Sequence, residues 1–207
     1  MYNAFEKHYD ITEEEGVKYP PRNARFLEVN GARELIEKFG GASFFDGAYR
    51  VYSGARAEAA TLAFAKGMPQ FASRIVCFGY DWLGRHFALD FGRMESGQPL
   101  VLLLEPGTGQ ALEIPTNLVD FHNKELVGYP NECLAINAFY QWKDIHTDPI
   151  GFDKCVGYKI PLFLSGSDTL DNMEIIDLDV YLDISFQLLN GIKKMPPGTT
   201  IRKISIS

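Results

Sequence analysis

The chain has 207 residues, 46% of them hydrophobic, three cysteines and a net charge of -7, enough apolar material for one sizeable core and so for a single domain spanning 1–207. The acidic balance argues against nucleic acid as a partner, because phosphates are bound by a basic face. No run approaches the ~20 apolar residues of a membrane span, and the polar, acidic stretch 1–15 does not read as a leader, so the expectation is a soluble cytoplasmic protein.

Leu27, Leu35 and Phe39 recur at multiples of four and predict a helix over 27–39, with Asn30 and Gly31 placed to interrupt its first turn and Gly40-Gly41 to end it. The aromatic, β-prone stretch 42–53 is broken by Asp46-Gly47, a pair suited to the positive-φ positions of a tight hairpin. An Ala- and Leu-rich helix follows over 55–66, stopped by Gly67 and Pro69.

The centre reads as a meander. Strand-like runs at 74–79, 85–91, 100–105 and 110–114 are joined by Asp81-Trp82-Leu83-Gly84, by a loop at 95–99, and by Pro106-Gly107-Thr108-Gly109; connections this short make neighbours antiparallel. After Pro115, Thr116 or Asn117 can cap a helix to about Leu126, and Asn131 can cap another in which Leu134, Ala138, Trp142 and Ile145 fall at helical spacing.

Two readings compete over 176–188, where apolar residues alternate with polar ones as on a strand. Asp is depleted in strands, Asp177 is a good N-cap and Asn190-Gly191 a good stop, so the segment 174–190 is read as a helix. A last strand is expected over 199–206. The architecture predicted is α+β, a twisted, mainly antiparallel sheet flanked by helices.

Chemistry-bearing motifs are sparse. His8, His86, His122 and His146 lack metal-ligand spacing, and Cys77, Cys133 and Cys155 form no Cys-x-x-Cys pair and sit in apolar text, as buried thiols do. Gly107-Thr108-Gly109 belongs to a hairpin turn and not to a phosphate-cradling loop. No catalytic residue, metal or cofactor is assigned, and binding is expected in place of catalysis.

Two features point to a binding surface. Between Ile160 and Ile192 stand Asp168, Asp171, Glu174, Asp177, Asp179 and Asp183 with no Lys or Arg, so this segment carries almost all of the net charge and would attract a basic partner. Tyr80 and Trp82, in the run Phe78-Gly79-Tyr80-Asp81-Trp82-Leu83-Gly84-Arg85, are either core plugs or exposed anchors, and Phe186 is a third candidate anchor.

The order of a helix, Phe39-Gly40-Gly41-Ala42-Ser43-Phe44-Phe45-Asp46-Gly47-Ala48-Tyr49-Arg50-Val51, then Phe78-Gly79-Tyr80-Asp81-Trp82-Leu83-Gly84-Arg85-His86-Phe87-Ala88-Leu89-Asp90, resembles the SUKH superfamily of Smi/Knr-like proteins over 29–126. The segment from Cys155 to Gly166, followed by Asn172, looks like the C-terminal part of bacterial members, with Ser165 where a glycine is expected. The resemblance implies an immunity protein that neutralises a cognate secreted or contact-dependent toxin, often a nuclease, by masking its active site. Alternatives are a regulatory scaffold related to regulators of cell-wall synthesis and a carboxylate-dependent hydrolase.

Overall fold

The computed structural model describes residues 1–16 and 18–196. Seven strands form one antiparallel sheet in chain order: β1 (Ile11–Glu14), β2 (Ala42–Phe44), β3 (Tyr49–Val51), β4 (Ile75–Asp81), β5 (His86–Glu95), β6 (Gln98–Glu105) and β7 (Gln110–Asn117). A second sheet pairs β8 (Lys154–Tyr158) with β9 (Met173–Asp177). The helices are α1 (Asn3–His8), α2 (Ala24–Leu27), α3 (Ala32–Phe39), α4 (Gly54–Gly67), α5 (Leu118–Asp120), α6 (Leu126–Gly128), α7 (Pro130–Leu134), α8 (Ile136–Ile145) and α9 (Leu178–Lys193). A π-helical turn, Phe121–Glu125, joins α5 to α6.

The α+β expectation holds, with helices on both faces of the large sheet. Alternate residues of each central strand enter different cores: Val101 and Leu103 meet Phe5, Phe39 and Phe121 on one face, while Leu102 and Leu104 meet Phe64, Leu182 and Phe186 on the other. Covering both faces explains why β6 reads as an unbroken apolar run. A third core gathers Trp82, Phe139, Trp142, Ile150 and Val156 where α8 and β8 meet the β4–β5 turn.

The predicted 27–39 helix is divided. Asn23 caps α2 by accepting from the amides of Arg25 and Phe26, and Gly31, at φ 80°, opens α3 after a break. The Asp46 hairpin joins β2 to β3, with Phe45, Asp46 and Gly47 all at positive φ. Strand β5 runs past the predicted Phe91 to Glu95 through an irregular register, and its turn to β6 is Ser96-Gly97, both at positive φ as a two-residue hairpin requires. Strand β7 continues past Pro115 because the ladder bulges there, Leu100 pairing with Asn117 and Val101 with Ile114. Proline is tolerated at that bulge, on a strand at the edge of the sheet. At the opposite edge, β1 has all four residues exposed, two of them glutamates.

The helix predicted from Asn131 breaks at Ala135, whose φ of 51° separates α7 from α8. Asn131 still serves as a cap across the break, its Oδ1 accepting from the Asn137 amide at 3.2 Å. In the 174–190 segment both periodicities are used in turn. Residues up to Asp177 pair with β8, and Asp177 then accepts from the amides of Asp179 and Val180 and starts α9. The 199–206 strand lies outside the described residues. No helix among the described residues is long and apolar enough to cross a membrane.

Candidate functional site

All six acids of the 160–192 segment are carried by the unit formed by β8, β9, α9 and the connection between the two strands. Asp179 and Asp183 lie one turn apart on α9, and Val180 sits beside them; the three span an arc of about 100° on the solvent side. Glu174 is exposed on β9, opposite Gly157. Asp168 and Asp171 project from the connection, which Asn172 pins to itself by bonding Ile160 through both its Oδ1 and its Nδ2 and by donating to the Ser167 carbonyl. Asp168 accepts from the Tyr158 hydroxyl at 2.7 Å.

Cations reach this surface only at its margin. Among the described residues, Asp177 alone of the six has a cation within 4 Å, Lys154 at 3.6 Å, and the neighbouring Lys159 spends its ammonium on the Asp171 carbonyl. The backbone amides of Asp179 and Val180, with Lys154 adding to them, hold the Asp177 carboxyl below its usual range. The same unit carries exposed apolar residues: Val180 (47%), Ile175 (36%) and Ile160 (54%).

The aromatic anchors read from the sequence are corrected by the structure. Tyr80 is 1% exposed, Trp82 0% and Phe186 7%. Trp82 is a core plug whose Nε1 donates to the Leu134 carbonyl at 2.8 Å and whose ring packs near Phe139. Phe186 lies against Phe64, between α4 and α9. Both faces of β4 are covered, and a bulge between Cys77 and Gly79 decides which of them Tyr80 enters. The extra residue leaves Phe78 with Val76 on one face and moves Tyr80 to the face of Ile75 and Cys77.

That switch of face places Tyr80 in a polar cluster which the sequence reading missed. Arg50 pairs with Tyr80 across β3 and β4 and is 0% exposed. Its Nη2 donates to the Ile150 carbonyl, and its guanidinium carbon lies 5.6 Å from the Tyr80 ring centroid and 5.3 Å from that of Phe152. The Tyr80 hydroxyl donates to the Phe152 carbonyl at 2.7 Å, and Arg56 Nη1 donates to the same oxygen at 3.2 Å. Arg56 also pairs with Glu15 at 2.6 Å. The signal available in the sequence was an arginine at an inward position of the run Tyr49-Arg50-Val51-Tyr52.

Other titratable groups are locked into the core. His86 Nδ1 faces the Gly84 carbonyl at 2.9 Å and Nε2 the Tyr52 hydroxyl at 2.6 Å; His122 is held in the same way by Leu118 and Tyr49. Burial pushes His86 down to about 3 and His122 to about 4. Asp81 accepts from the amides of Leu83 and Arg85 and from Arg85 Nε. Burial pushes it up to about 6, against the pull of Arg85. The three cysteines are free and buried, with Cys77 and Cys133 raised to about 12 mainly by desolvation.

The described surface includes two open clefts. One of about 300 Å³ is lined by His8, Tyr9, Asp10, Thr12, Phe45, Asp46 and Tyr140, and one of about 270 Å³ by residues including Arg25, Phe91 and Gln98. Among the described residues, no three His, Cys, Asp or Glu side chains are grouped so as to hold a metal ion.

No protein-family model matches the sequence. No curated protein matches it either. Among solved structures the chain is similar to the crystal structure of Atu4351 from Agrobacterium tumefaciens, with a TM-score of 0.61 and 16% identity over 90% of this chain and 89% of that one. At that identity the likeness is one of fold.

Proposed function

We propose that this chain is a protein-binding immunity protein of the SUKH type, which neutralises a basic toxin by covering its active site with the β8–β9–α9 surface. The observation that supports this reading is the combination of six acids, five of them without a cation within 4 Å among the described residues, with exposed Val180 beside Asp179 and Asp183 on α9 and exposed Ile175 and Ile160 on the same unit. The acids raise the association rate with a positively charged groove, and the apolar residues slow dissociation once water is excluded. These three aliphatic residues take the place of the aromatic anchors expected from the sequence. A nuclease groove shaped for phosphate presents the complementary charge.

The test is to purify the tagged protein together with the product of the adjacent gene and to measure binding kinetics at low and high salt. The combined variant Asp171→Asn, Glu174→Gln and Asp179→Asn associates about tenfold more slowly at low salt and dissociates at the unchanged rate. Val180→Ser raises the dissociation rate instead. A triple variant that associates as fast as the parent protein removes this surface from the proposal.

A further inference from the structure

Among the described residues, Arg50 is a fully buried cation with no carboxylate within 4 Å, and its Nε and Nη1 have no hydrogen-bond acceptor. The other buried charges are differently arranged: Asp81 has Arg85 at 2.6 Å, and Asp90 has a two-pronged pair with Arg74, both contacts at 2.6 Å. A buried guanidinium left with free N–H groups is costly, and such groups are rare in folded proteins.

What covers Arg50 is informative. The connection 146–153 between α8 and β8 lies over it as a strap and contributes two main-chain carbonyls, Ile150 and Phe152, two residues apart. Those two oxygens take the donors of Arg50, Arg56 and Tyr80, while the Phe152 ring lies against the Arg50 guanidinium. Two guanidinium groups and a phenol therefore donate to the main-chain oxygens of Ile150 and Phe152. This is a donor set that recognises an oxyanion, a phosphate or a carboxylate, and the forked guanidinium suits either. The Nε and Nη1 of Arg50 are available to the oxygens of such a group and are not used by the strap. Arg56, Glu15 and Phe152 are only partly buried, so the cluster meets the surface along one side.

We propose that Arg50, Arg56 and Tyr80 form an oxyanion-binding site, and that the carbonyls of Ile150 and Phe152 act as its internal stand-in, displaced when a phosphate or carboxylate group enters. The site lies on the face of the sheet covered by α4 and α9, and its preference for anions makes it a different function from attraction of a basic protein. Gly151, between the two carbonyl acceptors, gives the strap a residue with no side chain to carry when it lifts.

The test uses the full chain labelled with ¹⁵N and titrated with inorganic phosphate, and separately with acetate, at constant ionic strength set by chloride. Saturable shifts at Gly151, Phe152 and the Arg50 Nε–H are expected, and the tighter of the two anions identifies the source class. Arg50→Met weakens binding at least tenfold while keeping the fold, because it removes a buried charge and fills its volume. Arg56→Gln, at the partly exposed edge, is the second variant, with a weakening of about fivefold expected from one lost charge-assisted bond. Absence of saturable shifts with both anions overturns the proposal. So does wild-type affinity in Arg50→Met or, should that variant not fold, in Arg56→Gln; the guanidinium is then structural only.

Discussion

The ring of Phe186 rests on Gly67, so closely that a Cβ on the glycine would come within 2.2 Å of the ring's Cγ. This contact seats α9 against the C-terminal end of α4. In an exposed helix a Gly→Ala change gains about 1 kcal/mol from propensity. Here Gly67→Ala is expected to lose about 1–3 kcal/mol, because the ring has to leave its place in a packed core. Urea unfolding decides the sign, and a stabilised variant would mean that the two helices can part without cost.

Two neighbouring small residues on the β8–β9 connection are predicted to respond in opposite directions. Ser165 sits at φ 67°, the left-handed conformation that favours glycine. Ser165→Gly therefore gains about 0.5–1 kcal/mol from relief of backbone strain. Gly166 is different: a Cβ there would lie 1.9 Å from the Ile160 carbonyl oxygen. Gly166→Ala lowers the melting temperature by several degrees, since the Asn172 anchor has to break for the clash to relax. Paired thermal melts of the two variants test this.

Acid weakens the fold before its surface carboxylates titrate. The buried His86 and His122 refuse protons down to about 3 and about 4, whereas in the unfolded chain both take them up near pH ~6.5. Their stabilising contribution is complete above that pH and is lost on acidification. Asp81 opposes them, since its folded carboxyl holds a proton below about 6 that the unfolded chain has released. Between about pH 6 and 4 the unfolded state thus binds one more proton than the folded state over these three groups. Stability falls by roughly 1 kcal/mol per pH unit in that window. Denaturant midpoints measured at intervals from pH 7 to 4.5 check the slope, and a flat profile contradicts it.

Thiol chemistry offers a quick check of the two cores. Burial pushes Cys77 and Cys133 to about 12 and raises Cys155 as well, so few thiolates form at pH 8 and none is accessible. An aromatic disulfide reagent is expected to label none of the three within minutes on the native protein, and all three in denaturant. Rapid labelling of one thiol would locate a part of the core that opens.

Asp177 combines two roles that substitution can separate. Its carboxylate caps α9 and also contributes negative charge. Asp177→Asn keeps the cap and costs a few tenths of a kcal/mol, while Asp177→Ala loses about 1 kcal/mol. If the surface binds a basic partner, both variants associate more slowly by a similar factor despite their different stabilities.

The parts of the fold that were legible in the sequence are those where one physical signal dominates. The central strands show as apolar runs because both faces are covered, and the start of α9 shows because Asp177 is both a poor strand residue and a good cap. The chain before Ala24 gave no such signal. Helix α1 is shorter than two turns, and β1 has four exposed residues and so no alternation to read. The placement of Tyr80 depended on a one-residue bulge, which spacing alone cannot reveal. The acids stood out as a count along the chain, but the cations beside them, Lys154 and Lys159, come from flanking residues brought in by β8 pairing. Arg50 was overlooked because a single basic residue between aromatic ones attracts no notice until its burial is known.

The two rims of the large sheet bear on how any partner can be met. At one rim β1 is four residues long and ends in Glu13-Glu14; at the other, β7 carries Pro115 within its bulge. Each is a device that discourages a foreign strand from joining the ladder. A partner that meets the large sheet at either rim therefore meets side chains before main-chain pairing partners. The same two rims discourage this seven-stranded sheet from growing edge to edge into fibres as the protein is concentrated.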